Sequence, residues 1–436
     1  MSTVEENALL TRTGPGTAGG ELLRRYWQPV ALAQELPEGG APVPVRILGE
    51  DLVLFRPDVS GRPDVSGRDE RRRVGLLGIH CAHRGADLSY GRLEDGGLRC
   101  IYHGWLYDVE GRCLEQPGEP AGSTFHERIR QRAYPCEERA GVIFAYLGPG
   151  EPPLLPAYEF LGADAEYCAA SKVLQDCNYL QGNEGNLDPA HLSFLHRMAL
   201  EGDLNQTFNA RVTCPHIETE DTDFGVRIYA VRPLGSEDNY VRVTNFVMPN
   251  FSAVAGDAEG YSVNWHVPID DEHHWRWGIR FNRFTPVERR RWGTSEMGDN
   301  YRLLRNRENR YLQDRESMKT WAFSGLGRNF VLHDTCATEG EGPIFDRTQE
   351  HLGYSDRGIV AMRRVMLEAI RDLQAGRDPR HVMRDPAEND RMDIFVRNDV
   401  VLPNSIEWHG YWRKEEAREA LASTRNGRRG AAATAE

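Results

Sequence analysis

Two stretches of the chain combine thiols, imidazoles and carboxylates at spacings that bind metal. The first reads CAHRGADLSYGRLEDGGLRCIYHGWLYD, in which Cys81-Ala82-His83 is followed after sixteen residues by Cys100-Ile101-Tyr102-His103. Each arm offers one thiolate and one imidazole. A 2Fe-2S cluster of the Rieske type needs that inventory, because two cysteines hold one iron while two neutral histidines hold the other and raise its potential. The resulting range, roughly -150 to +300 mV against about -400 mV for an all-cysteine plant-type cluster, suits a ferredoxin-like donor. Glycines such as Gly85 and Gly104 allow the tight turns that bring two loops around a compact cluster. The competing reading is a structural zinc with Cys2His2 ligands. Zinc sites usually pair like ligands in each arm, whereas both arms here are mixed. His80, beside Cys81, would break that pairing and reads as the end of the preceding strand.

The second stretch, NYLQGNEGNLDPAHLSFLH from Asn178 to His196, holds Asp188, His191 and His196. Two histidines and a carboxylate can form the facial triad that binds Fe(II) and leaves positions open for dioxygen. Asp188 followed by Pro189 also reads as a helix N-cap with proline at the first helical position. At about 100° per residue, His191 and His196 diverge by about 140° on an ideal helix, too far to share one metal. The helix must therefore break or bulge between them, and a π-type bulge is the expected device.

The elements that carry these residues fall into two blocks. Val43 to Phe55, Val74 to His80 and Val142 to Leu147 have strand-length runs of branched apolar residues, so the first 150 residues read as mostly β. The segment GPGEPPLLP from Gly148 to Pro156 has the composition of a linker. Beyond it, Phe208 to Asn250 and Tyr261 to Phe284 read as sheet, and Asn178 to Met198, Glu288 to Trp321 and Gly358 to Ala375 have helical spacing. These readings give a domain over 1–155 with an N-terminal helical segment, a second over 156–422, and a disordered tail over 423–436. The doubled RPDVSG from Arg56 to Gly67 suits a solvated loop. Gly14 to Gly19 matches GxGxxG, but no strand precedes it and no βαβ unit follows, so no nicotinamide or flavin site is expected.

Among 436 residues, 40% are hydrophobic and 27% charged, and no run approaches the length of about 18 apolar residues that a membrane span needs. Met1 to Leu10 carries Glu5 and Glu6 where a secretory leader would be basic, which points to the cytoplasm. A formal charge of -13 works against nucleic-acid binding. The eight cysteines are too dispersed for a disulfide scaffold, and Cys113 and Cys136 read as buried thiols.

With both signatures in this order, the chain resembles the catalytic (alpha) subunit of Rieske non-heme iron oxygenases, in the phthalate dioxygenase-like branch that includes aryl-ether O-demethylases. The likeness runs from about Leu10 to about Arg418. It is carried by TGPGTAGGELLRRYWQPVAL, the DPxHxxxxH motif and DRTQEHLGYSDRGI. The resemblance implies an α+β protein: an all-β Rieske domain, then a catalytic domain whose antiparallel sheet packs against helices in the helix-grip, START-like manner. It implies a 2Fe-2S cluster on Cys81, His83, Cys100 and His103, and a mononuclear Fe(II) on His191, His196 and Asp334, with Asp346 and Asp356 as nearby competitors for the third place. Asp188 becomes a hydrogen-bonded bridge between His191 of one subunit and the Rieske His103 of its neighbour, which calls for a homotrimer or a multiple of it.

The same resemblance implies electrons from an NAD(P)H-dependent reductase, with or without a ferredoxin, and dioxygen acting on a small aromatic substrate. Arg227, Arg232 and Arg242 on the middle sheet are candidates for a substrate carboxylate, although a lone strand arginine is more often ion-paired on the surface. Cis-dihydroxylation, monohydroxylation and O-demethylation all remain open. The competing function classes are a Rieske electron carrier without oxygen chemistry and a zinc-stabilised binding module.

Overall fold

The computed structural model describes residues 2–409 except 58–72, 95, 200–206, 257–259, 288–295, 390–393, 395 and 406. The RPDVSG duplication beyond Pro57 and the tail from Ser423 to Glu436 lie outside the described residues.

After two short helices, Val4–Thr11 and Ala18–Leu23, the N-terminal part is built from three small antiparallel sheets. One sets Trp27–Leu32 beside Val142–Tyr146 and Cys136–Arg139, and it buries every residue of its first two strands. A second runs Val43–Ile47, Glu50–Phe55, Gly75–Gly78 and Ala133–Tyr134. The expected strand Val43 to Phe55 is thus a hairpin. Leu48 and Gly49 take positive φ of 50° and 76°, which is the backbone a two-residue hairpin turn requires. The third sheet, Arg92–Glu94, Gly97–Arg99, Leu106–Tyr107 and Cys113–Glu115, lies beside the arm at Cys100.

The second part is one antiparallel sheet in the order Cys168–Gln175, His274–Asn282, Gly260–Pro268, Phe251–Ala255, Asp238–Val247, Gly225–Leu234 and His216–Asp221, with Arg397–Pro403 pairing Asp238–Val247. Helices Tyr179–Leu187, Phe330–Gly340 and Arg357–Gln374 complete it, and the first and last pack on the sheet. Arg357–Gln374, which matches the expected helix, buries Ala361, Met362, Val365, Met366, Ala369 and Ile370 as one stripe. Each buried Met, Val or Ile of this stripe contributes about 1.5–3 kcal/mol. One buried cluster joins the two parts: Phe144 of the N-terminal sheet meets Trp265 of the large sheet with ring centroids 5.6 Å apart. The α+β architecture is the one the sequence implies.

Two helices depart from expectation. The one predicted over Asn178 to Met198 starts on the side chain of Asn178, which accepts from Leu180 N–H at 3.1 Å, and stops at Leu187. Asp188 is extended, at φ -91° and ψ 106°, because a residue before proline is excluded from helical backbone. Pro189 ends this helix; it does not begin a new α-helix. Over Glu288 to Trp321, the described part from 296 onward holds only the short 3-10 segments Arg307–Leu312 and Ser317–Lys319. Arg305 there donates to the carbonyls of Tyr311 and Leu326 at 2.9 Å each, so side-chain bonds replace the helical ladder. Phe208–Arg211, expected in sheet, is a single helical turn capped by Thr207. Among the described residues no helix is long and apolar enough to cross a membrane.

Candidate metal centres

The two N-terminal arms are near copies of each other. Gly85 N–H donates to Cys81 O at 2.8 Å and Gly104 N–H to Cys100 O at 3.0 Å, with φ of 74° and 75° at the two glycines. A side chain at either position would strain the turn. Cys81 and Cys100 are buried, at 4% and 3% exposure, whereas His83 is half-buried and His103 exposed. The imidazoles of His83 and His103 meet edge to face with centroids 4.5 Å apart, and Trp105 stacks on His83 at 4.4 Å. Tyr107 hydroxyl lies 3.1 Å from Cys81 Sγ. Burial, with Cys100 adding to it, pushes the Cys81 thiol above its ordinary value, so a bound cation is what would favour the thiolates.

Sulfur donors inside and nitrogen donors at the rim fit a two-iron cluster with unlike ends. Among the described residues, His191, His196 and Asp334 are the one group of three such donors lying within 4.8 Å of one another. The four arm residues therefore do not converge on a single point, as a tetrahedral zinc with bonds of about 2.0–2.3 Å would require.

In that triad His191 begins the 3-10 turn His191–Ser193, His196 follows in irregular chain, and Asp334 sits in helix Phe330–Gly340. The expected π-bulge is absent. Once Pro189 has ended the helix, Phe194, at φ -128° and ψ -69°, turns the chain so that the two imidazoles meet edge to face with centroids 5.0 Å apart. His196 Nε2 is 2.8 Å from Asp334 Oδ1, and Arg276 Nη2 donates to Asp334 Oδ2 at 3.3 Å. Burial opposes charge on Asp334, yet His196, Arg276 and His191 together hold its carboxyl well below the usual carboxylate range. Burial likewise keeps His191 below its ordinary value. A carboxylate beside two imidazoles is the donor set that Fe(II) takes.

Asp346 and Asp356, the competing carboxylates, serve local turns: Asp346 accepts from Thr348 N–H at 3.0 Å and Asp356 from Gly353 N–H at 2.6 Å. Asp188 stands beside the triad, outside it. Its Oδ1 accepts from Ala190 N–H at 2.7 Å and its Oδ2 lies 3.9 Å from His191 Nδ1.

A cavity of about 580 Å³ opens on the triad. Val173, Ile228, Ile279 and Phe330 give it apolar walls, and Arg242, Arg276 and Arg280 line it as well.

A family described as the Rieske [2Fe-2S] domain matches residues 26–134, and one described as LigXa C-terminal domain like matches 145–428. The chain is 37% identical to the phthalate 4,5-dioxygenase oxygenase subunit of Pseudomonas putida, over 86% of its own length and 88% of that protein. The chain belongs to the Rieske non-heme iron oxygenases. It is also 34% identical to the 5,5'-dehydrodivanillate O-demethylase oxygenase subunit of Sphingobium sp., over 92% of this chain and 88% of that one. Its fold matches the terminal oxygenase of carbazole 1,9a-dioxygenase from Novosphingobium sp. KA1 with a TM-score of 0.56 at 21% identity, covering 85% and 96% of the two chains. As an oxygenase subunit of this family it carries a Rieske cluster and a mononuclear iron, which sets aside both the electron carrier and the zinc module.

Within this Rieske oxygenase the three candidate substrate arginines occupy different places. Arg227 alternates away from the cavity-lining Ile228 and Ala230, and it donates to Glu220 and Asn245 at 3.2 Å each. Arg232 shares their face but is drawn under the metal turn, where Nη2 donates to Pro189 O at 2.8 Å. Of the three candidates, Arg242 alone reaches the cavity. Arg276 and Arg280 were hidden in the alternating strand His274–Asn282, whose even positions 276, 278 and 280 all line it. That period-two signal was available in the sequence.

Proposed function

We propose that this oxygenase hydroxylates or O-demethylates a carboxylated aromatic substrate in the cavity above His191, His196 and Asp334. One observation carries the reading: the three donors that converge within 4.8 Å share a cavity with three guanidiniums. In this reading Cys81, His83, Cys100 and His103 hold the 2Fe-2S cluster within a domain over 1–155, and the triad holds Fe(II) within 156–422. When bound, the cluster supplies electrons one at a time and the iron supplies open positions for dioxygen.

The chain's own residues do the rest. Apolar walls at Val173, Ile228, Ile279 and Phe330 exclude water and seat an aromatic ring. Arg242, Arg276 and Arg280 make the cavity favourable for a carboxylate, since guanidinium groups match its geometry. Asp188 orients His191 and, in a homotrimer, reaches toward His103 of the neighbouring subunit, so that second-sphere contact and electron path coincide. The chain depends on an electron-transfer partner, here proposed to be an NAD(P)H-dependent reductase with or without a ferredoxin, working in the cytoplasm. Relatives named as a dioxygenase and an O-demethylase support both reaction types.

Turnover by the purified, iron-loaded chain with a surrogate reductase, across aromatic acids and aryl methyl ethers, tests the reading by product mass. A gain of two oxygens, a gain of one, or loss of a methylene from a carboxylated substrate supports it and identifies the reaction. Products formed only from aromatics without a carboxylate would overturn it.

A further inference from the structure

His196 has a partner on the side away from the triad. Its Nδ1 lies 3.1 Å from Nδ1 of His333, and Nε2 of His333 lies 3.0 Å from the carbonyl oxygen of Gly327. A carbonyl can only accept, so Nε2 of a neutral His333 carries the hydrogen and its Nδ1 presents a lone pair. The 3.1 Å contact is then a hydrogen bond donated by His196 Nδ1–H, which leaves the lone pair of His196 on Nε2. That atom lies 2.8 Å from Asp334 Oδ1, on the triad side, and a cation shared between these two acceptors, as the iron-loaded site would supply, reconciles them.

The rest of the setting keeps this arrangement rigid. His333 is fully buried and sits in helix Phe330–Gly340 immediately before Asp334, so one turn of helix places both the carboxylate of the triad and the partner of its histidine. The rings of His196 and His333 lie within 18° of parallel, and Phe330 covers His196 at 4.7 Å. Gly327 takes φ of 82° in the turn before the helix, which aims its carbonyl at His333. Metal-bound histidines usually give their second ring hydrogen to a carboxylate, a backbone carbonyl or water. Here a second imidazole takes it, and a backbone carbonyl in turn holds that imidazole.

We infer that His333 is a positioning residue for the mononuclear iron, which fixes the tautomer and ring plane of His196 so that Nε2 faces the metal. This rests on the triad being the iron site. The two ideas separate in one experiment, anaerobic equilibrium dialysis of the full chain against graded Fe(II), with the Rieske EPR signal as an internal measure of folded, cluster-loaded protein. His333→Phe keeps a flat buried ring but removes the acceptor, and it weakens Fe(II) binding about 10- to 100-fold with the Rieske signal retained. His333→Asn places an amide oxygen near the position of Nδ1 and recovers binding to within about threefold of the unsubstituted chain, a rescue that a merely space-filling role would not give. Binding by His333→Phe within about twofold of the unsubstituted chain, or an asparagine variant as weak as the phenylalanine one, overturns the inference. Should His333→Phe lose the Rieske signal, His333→Ala against His333→Asn makes the same comparison. An unsubstituted chain that binds no Fe(II) beyond the cluster overturns the triad itself.

Discussion

Asp188 Oδ2 lies 3.9 Å from Nδ1 of His191, a buried nitrogen without a hydrogen-bond partner among the described residues. The carboxylate belongs to the chain segment that Pro189 forces out of helix, and its other oxygen is tied to Ala190 N–H. A small closure of this gap would make Asp188 the acceptor for His191, leaving Nε2 for the metal. Asp188→Asn is therefore expected to keep both metal centres, because it removes no ligand, and to slow electron delivery to the triad about 10- to 100-fold. Rapid-mixing single turnover, followed by bleaching of the cluster absorption, measures this. A rate equal to that of the unsubstituted chain removes the bridge from the account.

Arg242 enters the cavity from strand Asp238–Val247. If it meets a substrate carboxylate, Arg242→Gln forfeits a charge-assisted hydrogen bond and raises KM about 10- to 100-fold for the acid with kcat little changed. The methyl ester of the same substrate is the control, and its KM should not move. Steady-state oxygen uptake reads both.

How far the sequence exposes this site depends on how local each contribution is. The cluster arms are legible because each pairs its Cys and His within a few residues, and the fold merely brings two such arms together. His191 and His196 are legible as a pair, but their geometry is not, since helical periodicity across Asn178 to His196 outweighs a single proline in the pattern. Asp334 lies 138 residues beyond His196 and is reached through family resemblance, not through spacing. His333 carries no signal at all in one dimension, because its role exists only once helix Phe330–Gly340 docks beside the turn.

The helix that presents Asp188 is anchored by a buried ion network. Glu184 accepts from Arg347 at 2.9 and 2.7 Å and from Arg363 at 2.7 Å, and Arg363 also grips Glu350. Arg347 is fully buried, so Arg347→Met strands Glu184 with half its partners and is expected to cost about 3–5 kcal/mol. Denaturant unfolding should show the loss, together with lower iron occupancy at unchanged cluster content.

Two buried histidines should shape the acid stability. His274 Nδ1–H donates to Cys177 O at 2.7 Å and its Nε2 accepts from His266 Nδ1–H at 2.9 Å, so both rings are neutral. Burial, helped by Arg276, pushes His274 down to about 4, and His266 falls well below its ordinary value. The unfolded chain, with histidines near 6.5, binds more protons between the two values. Stability is therefore fully present above about pH 6.5 and falls as the pH drops toward 4, by about 1.4 kcal/mol per pH unit for each histidine. Urea midpoints measured from pH 7 to pH 5 should show this slope, and His274→Gln should flatten it.

Iron counting on the anaerobically reconstituted chain probes the two-centre arrangement most directly, with His196→Ala as the companion. The unsubstituted chain should hold about three iron atoms with a Rieske EPR signal, and the variant about two with the signal intact. Two iron atoms in the unsubstituted chain, or a third that persists without His196, would contradict an iron held by His191, His196 and Asp334.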